Sequence, residues 1–426
     1  MSGIPSGSGD FFRGMFGDLL KMLKTDSPVQ WDLAVQLARS VAGEGETDAN
    51  VDPVERIRLD ELAQITGRYV DDITGMPDAR IGALTIIPTN RADWVSRSLA
   101  AWRPFLEELA GEIAPAHPEE QQPGSGSGDE QGGEGDEAEA FRLAQMLGQW
   151  AGVVAPAMLG MQIGSIVGHL ARFTFGQYEL PLPRQHTDEL LLVPSNLIAF
   201  ANDWSLPEDD VRMWVLVSEM TQHAVMARPH VTERLSLLLV EHARSFRLDP
   251  SILESRLEGV DLTDFTALAR LLGDTPALGQ VAETPQSRSV QTRLDTITSL
   301  IAGYAEYVTE TAAQRLVGSF DALREAMRRR RVERDEEERA AEALFGFHLD
   351  QERVDKGMAF VRGVLERGGE AELAKLWVVE ANLPTPSELE APGLWIERVN
   401  LPVDPGSVAW AADLGLLDPE ESDQPD

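Results

Sequence analysis

Between Leu143 and Ala171 the chain carries no Asp, Glu, Lys or Arg, although a quarter of its residues are charged and its formal net charge is −34. A charge-free run of this length can span a bilayer, so it has to be hidden from water in lipid or in protein. Gln145, Gln149, Gln162, Ser165 and His169 interrupt it, and Pro156 lies inside it. Gly160, Gly164 and Gly168 recur every fourth residue, which leaves one smooth helical face for close backbone approach. In so acidic a chain we read the run as a central buried helix and expect no transmembrane segment. With 426 residues, 43% of them hydrophobic, the chain can bury a sizeable core, and its length allows two or three domains.

Composition removes several chemistries. No cysteine is present, so disulfides, thiolate metal sites and cysteine nucleophiles are excluded. The negative balance argues against nucleic acid, whose phosphates select clustered Lys and Arg. Lysine occurs only at Lys21, Lys24, Lys356 and Lys375, and arginine supplies the other cations. The first ten residues have neither a basic leader nor an apolar core, so a secretory signal is not expected and the reading is cytoplasmic. Phe12, Met15, Phe16, Leu19 and Leu23 follow at helical spacing, with Arg13, Lys21 and Lys24 among them. That stripe suits a helix docked on the body of the protein, or one lying on a membrane surface.

The pattern predicts a mainly α chain with one or two short strands. An N-terminal helical region over 1–117 holds helices near Pro28–Val41, Pro53–Ile73 and Trp94–Ile113, with a strand at Leu84–Pro88. Residues 118–140, rich in Gly, Ser and Glu, read as a disordered acidic linker. A helical core over 141–400 follows, with a strand at Leu190–Val193 closed by Pro194. A helix starts at the capping-box pattern Ser205-Leu-Pro-Glu208, and further helices cover Val231–Phe246 and Arg288–Val317. Arg324–Ala341 reads as a solvated, charge-dense helical face, and 401–426 as a fraying acidic tail.

The chemistry-bearing stretch is Val211 to His230. In an HExxH helix two histidines four apart bind zinc, and the glutamate beside the first polarises a zinc-bound water. Here Glu219 stands at the glutamate position, but Ser218 and Gln222 stand at the ligand positions, and neither is a good zinc ligand. Glu219 and His223 are four apart and share a face. A displaced zinc site built on them could be completed by Glu306, Glu310, His230 or Glu233. Against it stands a packed His223 with Glu219 held by an arginine or a hydroxyl. His169, His186, His242 and His348 lack ligand spacing. There is no GxSxG elbow and no phosphate-cradling glycine loop.

Several segments, in order, resemble the actinobacterial zincin-like metallopeptidase family: Pro28–Arg39, the Gly160–Gly168 helix, the Glu219 helix, Ala302–Val308, Leu323–Arg331, and Leu376 to Leu389. The resemblance implies a mostly helical zincin-type architecture. It also implies a catalytic base at Glu219, zinc ligands at Ser218 and Gln222, and a third acidic ligand at Ala302, which has no ligand atom. The expected function is therefore a catalytically degenerate family member, without zinc at those positions, that binds a peptide or protein segment. The alternatives are an active zinc hydrolase with a displaced ligand set at Glu219, His223 and Glu306, and a membrane-peripheral or structural adaptor.

Overall fold

The computed structural model describes residues 27–43, 49–76, 84–113, 155–245, 284–334 and 336–401. The Phe12–Leu23 stripe, the 118–140 segment and the tail from 402 on lie outside the described residues.

Apolar periodicity and end signals place the first helices. α1 (Trp31–Ala42) buries Trp31, Ala34, Ala38 and Ala42 on one side. α2 (Pro53–Thr74) starts where the Asp52 carboxylate accepts from the Val54 N–H, and stops where Gly75 takes a left-handed φ of 62°. Strand β1 (Thr85–Pro88) leads into α3 (Arg91–Ile113). Helix α4 (155–173) then returns to strand β2 (Glu189–Leu192). The two strands pair in parallel with Thr85 opposite Glu189. Parallel pairing requires a long crossover, which is why these two short strands lie a hundred residues apart in sequence.

α4 holds the part of the charge-free run from 155 to 171, with Ile163, Val167, Leu170 and Ala171 in the core; 143–154 lie outside the described residues. A Cβ on Gly160 or Gly164 would lie 2.6 Å from the carbonyl oxygen of Gln30 or Ala34, so its glycine face carries α1 backbone to backbone. Among the described residues, no helix is long and apolar enough to cross a membrane.

The remaining elements are α5 (Pro194–Asp203), α6 (Glu208–Met226), α7 (Pro229–Ser245), α8 (Pro285–Leu316), α9 (Phe320–Val332), α10 (Glu336–Leu344), α11 (Gln351–Leu373), α12 (Pro386–Glu390) and α13 (Pro392–Asn400). α8 is the spine: α6, α7 and α11 pack along it, and α2 backs α6. α8 and α11 cross almost without side chains between them. A Cβ on Gly357 would fall 1.8 Å from the Ser299 carbonyl oxygen, and one on Gly303 would fall 2.3 Å from Gly357. One core cluster runs from Val29 to Trp395 and draws on both sides of the 118–140 segment.

Three local expectations are corrected. The Ser205–Glu208 capping box does not form: Ser205 has a left-handed φ of 53°, and Pro207 occupies the N-cap of α6 with no side-chain bond. The helix start is met by charge instead, with Glu208, Asp209 and Asp210 in the first turn at the positive end of the helix dipole. Pro194 does not merely close β2 but opens α5 in the first turn, where its missing N–H costs nothing. The charge-dense stretch is two helices, broken after Val332, and only part of it is a solvated face: Glu325 and Arg329 stay exposed, whereas Arg330, Arg331 and Arg334 turn inward to form ion pairs. Local charge density cannot foresee carboxylates waiting on other segments.

Candidate binding cleft around Glu219

The segment after α4 builds one wall of the site. From α5, the Asn196 amide donates to the carbonyls of Ala171 (3.0 Å) and Thr174 (2.7 Å), satisfying orphan acceptors where α4 ends. The chain then runs extended past the end of β2, with Gly176 bridging antiparallel to Leu192. The Gly176 carbonyl accepts from the Trp94 indole (2.7 Å) and the Thr174 hydroxyl (2.9 Å). Held this way, the N–H groups of Gln177 and Tyr178 point at α6 and donate to Glu219 Oε2 at 2.8 and 3.0 Å.

Glu219 is buried, and its hydrogen bonds come from backbone amides rather than from the arginine or hydroxyl weighed from sequence, although the charge of Arg184 acts on it. Burial drives its pKa up to about 8, against the pull of the two amide donors. A Cβ on Gly176 would lie 2.5 Å from the Glu219 carboxyl carbon, so this approach needs glycine. One turn on, His223 is also buried, and its Nδ1 lies 3.0 Å from the Tyr178 hydroxyl. The His186 ring lies 5.2 Å from that of His223. Burial raises the Tyr178 phenol above its ordinary value. Tyr178 thus ties Glu219 at its amide and His223 at its hydroxyl.

The family positions do converge. Ser218 and Gln222 on α6 and Ala302 on α8 line one cavity of about 120 Å³, together with Glu219, Glu306 and Trp214. The Gln222 amide donates weakly to the Ser218 hydroxyl (3.4 Å). Glu306, placed on this cavity by α8, is gripped by both Arg331 Nη atoms, at 2.5 and 3.2 Å. Glu310, one turn further, is held by Arg324 and Arg362. His230 and Glu233 sit at the start of α7, where burial lowers the His230 pKa while Glu380 and Glu233 oppose the shift.

The carboxylates on the cavity rim that a zinc site would need are taken up by arginines. Burial disfavours the charge of Glu179, yet Arg330 and Arg334 hold its carboxyl below the usual range. Arg330 donates to Glu179 (3.0 Å) and stacks 4.1 Å from the Phe175 ring centre. Arg334 also pairs with Glu342. Sequence reasoning missed Gly176, Tyr178, Glu179 and these arginines. One signal for the arginines was present: Leu323, Ala326 and Met327 are buried, and Arg330, Arg331 and Arg334 continue the same helical stripe.

Zinc does not fit this donor set. A hydroxyl, an amide and a methyl group replace its ligands, the nearest spare acid is neutralised by Arg331, and Glu219 is already bound. Among the described residues, no group of three or more His, Asp or Glu can hold a metal ion.

Comparison with known proteins is consistent with this frame. No curated protein matches the sequence. A crystal structure from Chloroflexus aurantiacus, given the working description of a hydrolase with a novel fold, superposes with a TM-score of 0.54 at 20% identity. The match covers 88% of this chain and 99% of the other, which establishes a shared fold. The family model for zincin-like metallopeptidases matches residues 29–396. The chain belongs to the zincin-like metallopeptidase family.

Proposed function

We propose that this protein is a catalytically degenerate member of its family that uses the α6–α8 cleft to bind a peptide or protein segment. The observation that carries the reading is the tie between Glu219 Oε2 and the amides of Gln177 and Tyr178. A general base of a zinc hydrolase must be free to take a proton from the metal-bound water. Here the carboxyl is a structural tie, and the cavity beside it offers no ligand set for the metal.

What remains suits a chain segment. Trp214, Phe175 and Tyr178 provide aromatic surface, and Ser218 and Gln222 provide a hydroxyl and an amide for peptide groups.

Two measurements on the full chain test the reading. Zinc content of the untagged protein is expected to be far below stoichiometric and unchanged in a Glu219→Ala, His223→Ala double variant. Stoichiometric zinc lost in that variant would overturn the reading in favour of a hydrolase with displaced ligands. Calorimetric titration with a peptide library is expected to find ligands that Ala302→Leu excludes by filling the cavity. Ligands that bind Ala302→Leu unchanged would remove the cleft from the function.

A further inference from the structure

A second concavity lies away from the Glu219 cleft, between α9 and α11, and encloses about 500 Å³. Arg324 and Arg328 of α9 line one wall, Arg362 and Arg367 of α11 line the other, and Met358, Gly363 and Pro392 are among its further lining residues. In a chain of net charge −34, four guanidiniums against the carboxylates of Glu310, Asp355 and Glu366 leave this groove locally positive.

The arginines are held in place rather than loose. The buried Glu310 carboxylate takes Arg324 Nε on Oε1 at 2.5 Å and Arg362 Nη2 on Oε2 at 3.0 Å. One anion thereby fixes two cations from opposite walls side by side, and leaves their charge uncompensated by one unit. Arg328 donates one Nη to Asp355 at 3.1 Å. Arg367 folds back over its own helix onto the Gly363 carbonyl at 2.9 Å. A Cβ at 363 would stand 2.7 Å from the Pro392 side chain, so glycine there serves the close approach of α13, and 3.2 Å from the Arg367 Nη1. The remaining N–H groups of all four arginines find no protein acceptor among the described residues. Glu366, also on the groove, is exposed and forms no ion pair with a described residue.

We infer that this groove is a binding site for a phosphomonoester, whose phosphoryl oxygens take the spare N–H donors of Arg324, Arg328, Arg362 and Arg367. A single carboxylate satisfies one guanidinium fork. A dianion with three terminal oxygens accepts from several directions at once, which is what guanidiniums on two facing walls offer. The surrounding negative charge repels extended polyanions and leaves a compact anionic group as the fitting ligand.

Calorimetric titration of the full chain with inorganic phosphate, phenyl phosphate and a phosphoserine tetrapeptide, with acetate as comparison, tests this. Saturable phosphate binding is expected, about tenfold or more tighter than acetate, and weakened about tenfold by Arg328→Gln or Arg367→Gln. Arg329→Gln, on the same helix but paired with Glu325, should leave it within about twofold. Glu366→Gln is expected to tighten binding severalfold, a gain that no folding defect produces. A phosphoserine peptide that binds more tightly than inorganic phosphate places the group on a peptide, and equal affinities place it on a small molecule. Absence of saturable phosphate binding, equal binding of acetate, or the same loss in Arg329→Gln overturns the assignment. Neither set of outcomes depends on the Glu219 cleft.

Discussion

Gly176 and Glu219 meet so closely that a methyl group on one would overlap the carboxyl of the other: a Cβ at Gly176 would stand 2.5 Å from the Glu219 carboxyl carbon. The carboxyl cannot step aside, because the next two backbone N–H groups hold it at 2.8 and 3.0 Å. The extended segment and α6 are thereby held face to face, through the residue at the position that the family resemblance assigns to catalysis.

Gly176→Ala is expected to destabilise the fold by about 1–3 kcal/mol, the range for a forced overpacking contact. Glu219→Ala alone removes the acceptor for two buried amides and should cost a similar amount. In the Gly176→Ala, Glu219→Ala double variant the clash is gone, so the two losses should fall short of adding by about 1 kcal/mol or more. Urea denaturation of the four proteins measures the coupling, and strictly additive losses would show that the two residues do not touch.

The stability of the protein should decline as pH rises from about 4.5 to about 8 on account of Glu219. Its folded pKa of about 8 exceeds the ordinary carboxyl value of 4.5, so the folded state binds the extra proton across that window. The sign is the reverse of that for a salt-bridged acid such as Glu179, whose lowered pKa contributes stability that is lost as pH falls. Each unit of the window corresponds to ~1.4 kcal/mol at most. Glu219→Gln keeps an acceptor oxygen for Gln177 and Tyr178 but cannot ionise. Its stability profile is expected to be flatter than wild type between pH 5 and 8 by a few kcal/mol, and parallel profiles would rule out a proton held at Glu219.

Removing one half of the Arg331–Glu306 pair should be severe. Glu306 is 4% exposed, and both its oxygens are bound by Arg331. Arg331→Met would strand that carboxylate, at a cost of about 3–5 kcal/mol. Adding Glu306→Gln should recover much of the loss, because the stranded charge, rather than the missing attraction, dominates the penalty. Thermal melts of the single and double variants decide it: a double variant no more stable than Arg331→Met would mean that the pair acts through packing alone.

Much of the architecture was legible before any coordinates. Helical periodicity in Trp31–Ala42, the proline start of α2 and the long α8 stripe are written in spacing, and the observed bounds depart by a few residues. The later half of the charge-free run was readable as a buried helix because its glycines recur at one-turn intervals, and they do carry α1. What went astray was of another kind. Ser205 carries the right residue type for a cap but the wrong backbone, since Pro207 displaces the helix start by two residues. The arginine run looked solvated because Glu179, Glu306 and Glu342 are remote or uninformative in sequence.

By itself, then, the sequence determined that Glu219 and His223 share a helical face and that Ser218 and Gln222 bring no adequate zinc donors to it. Those follow from the helical period and the chemistry of side chains, both of which are local. Only the tertiary structure decided what a buried Glu219 is bound to, which is two amides 41 and 42 residues upstream, and which arginines turn inward. A desolvated carboxyl takes whatever partner long-range packing brings within hydrogen-bond reach, and no local pattern encodes that meeting.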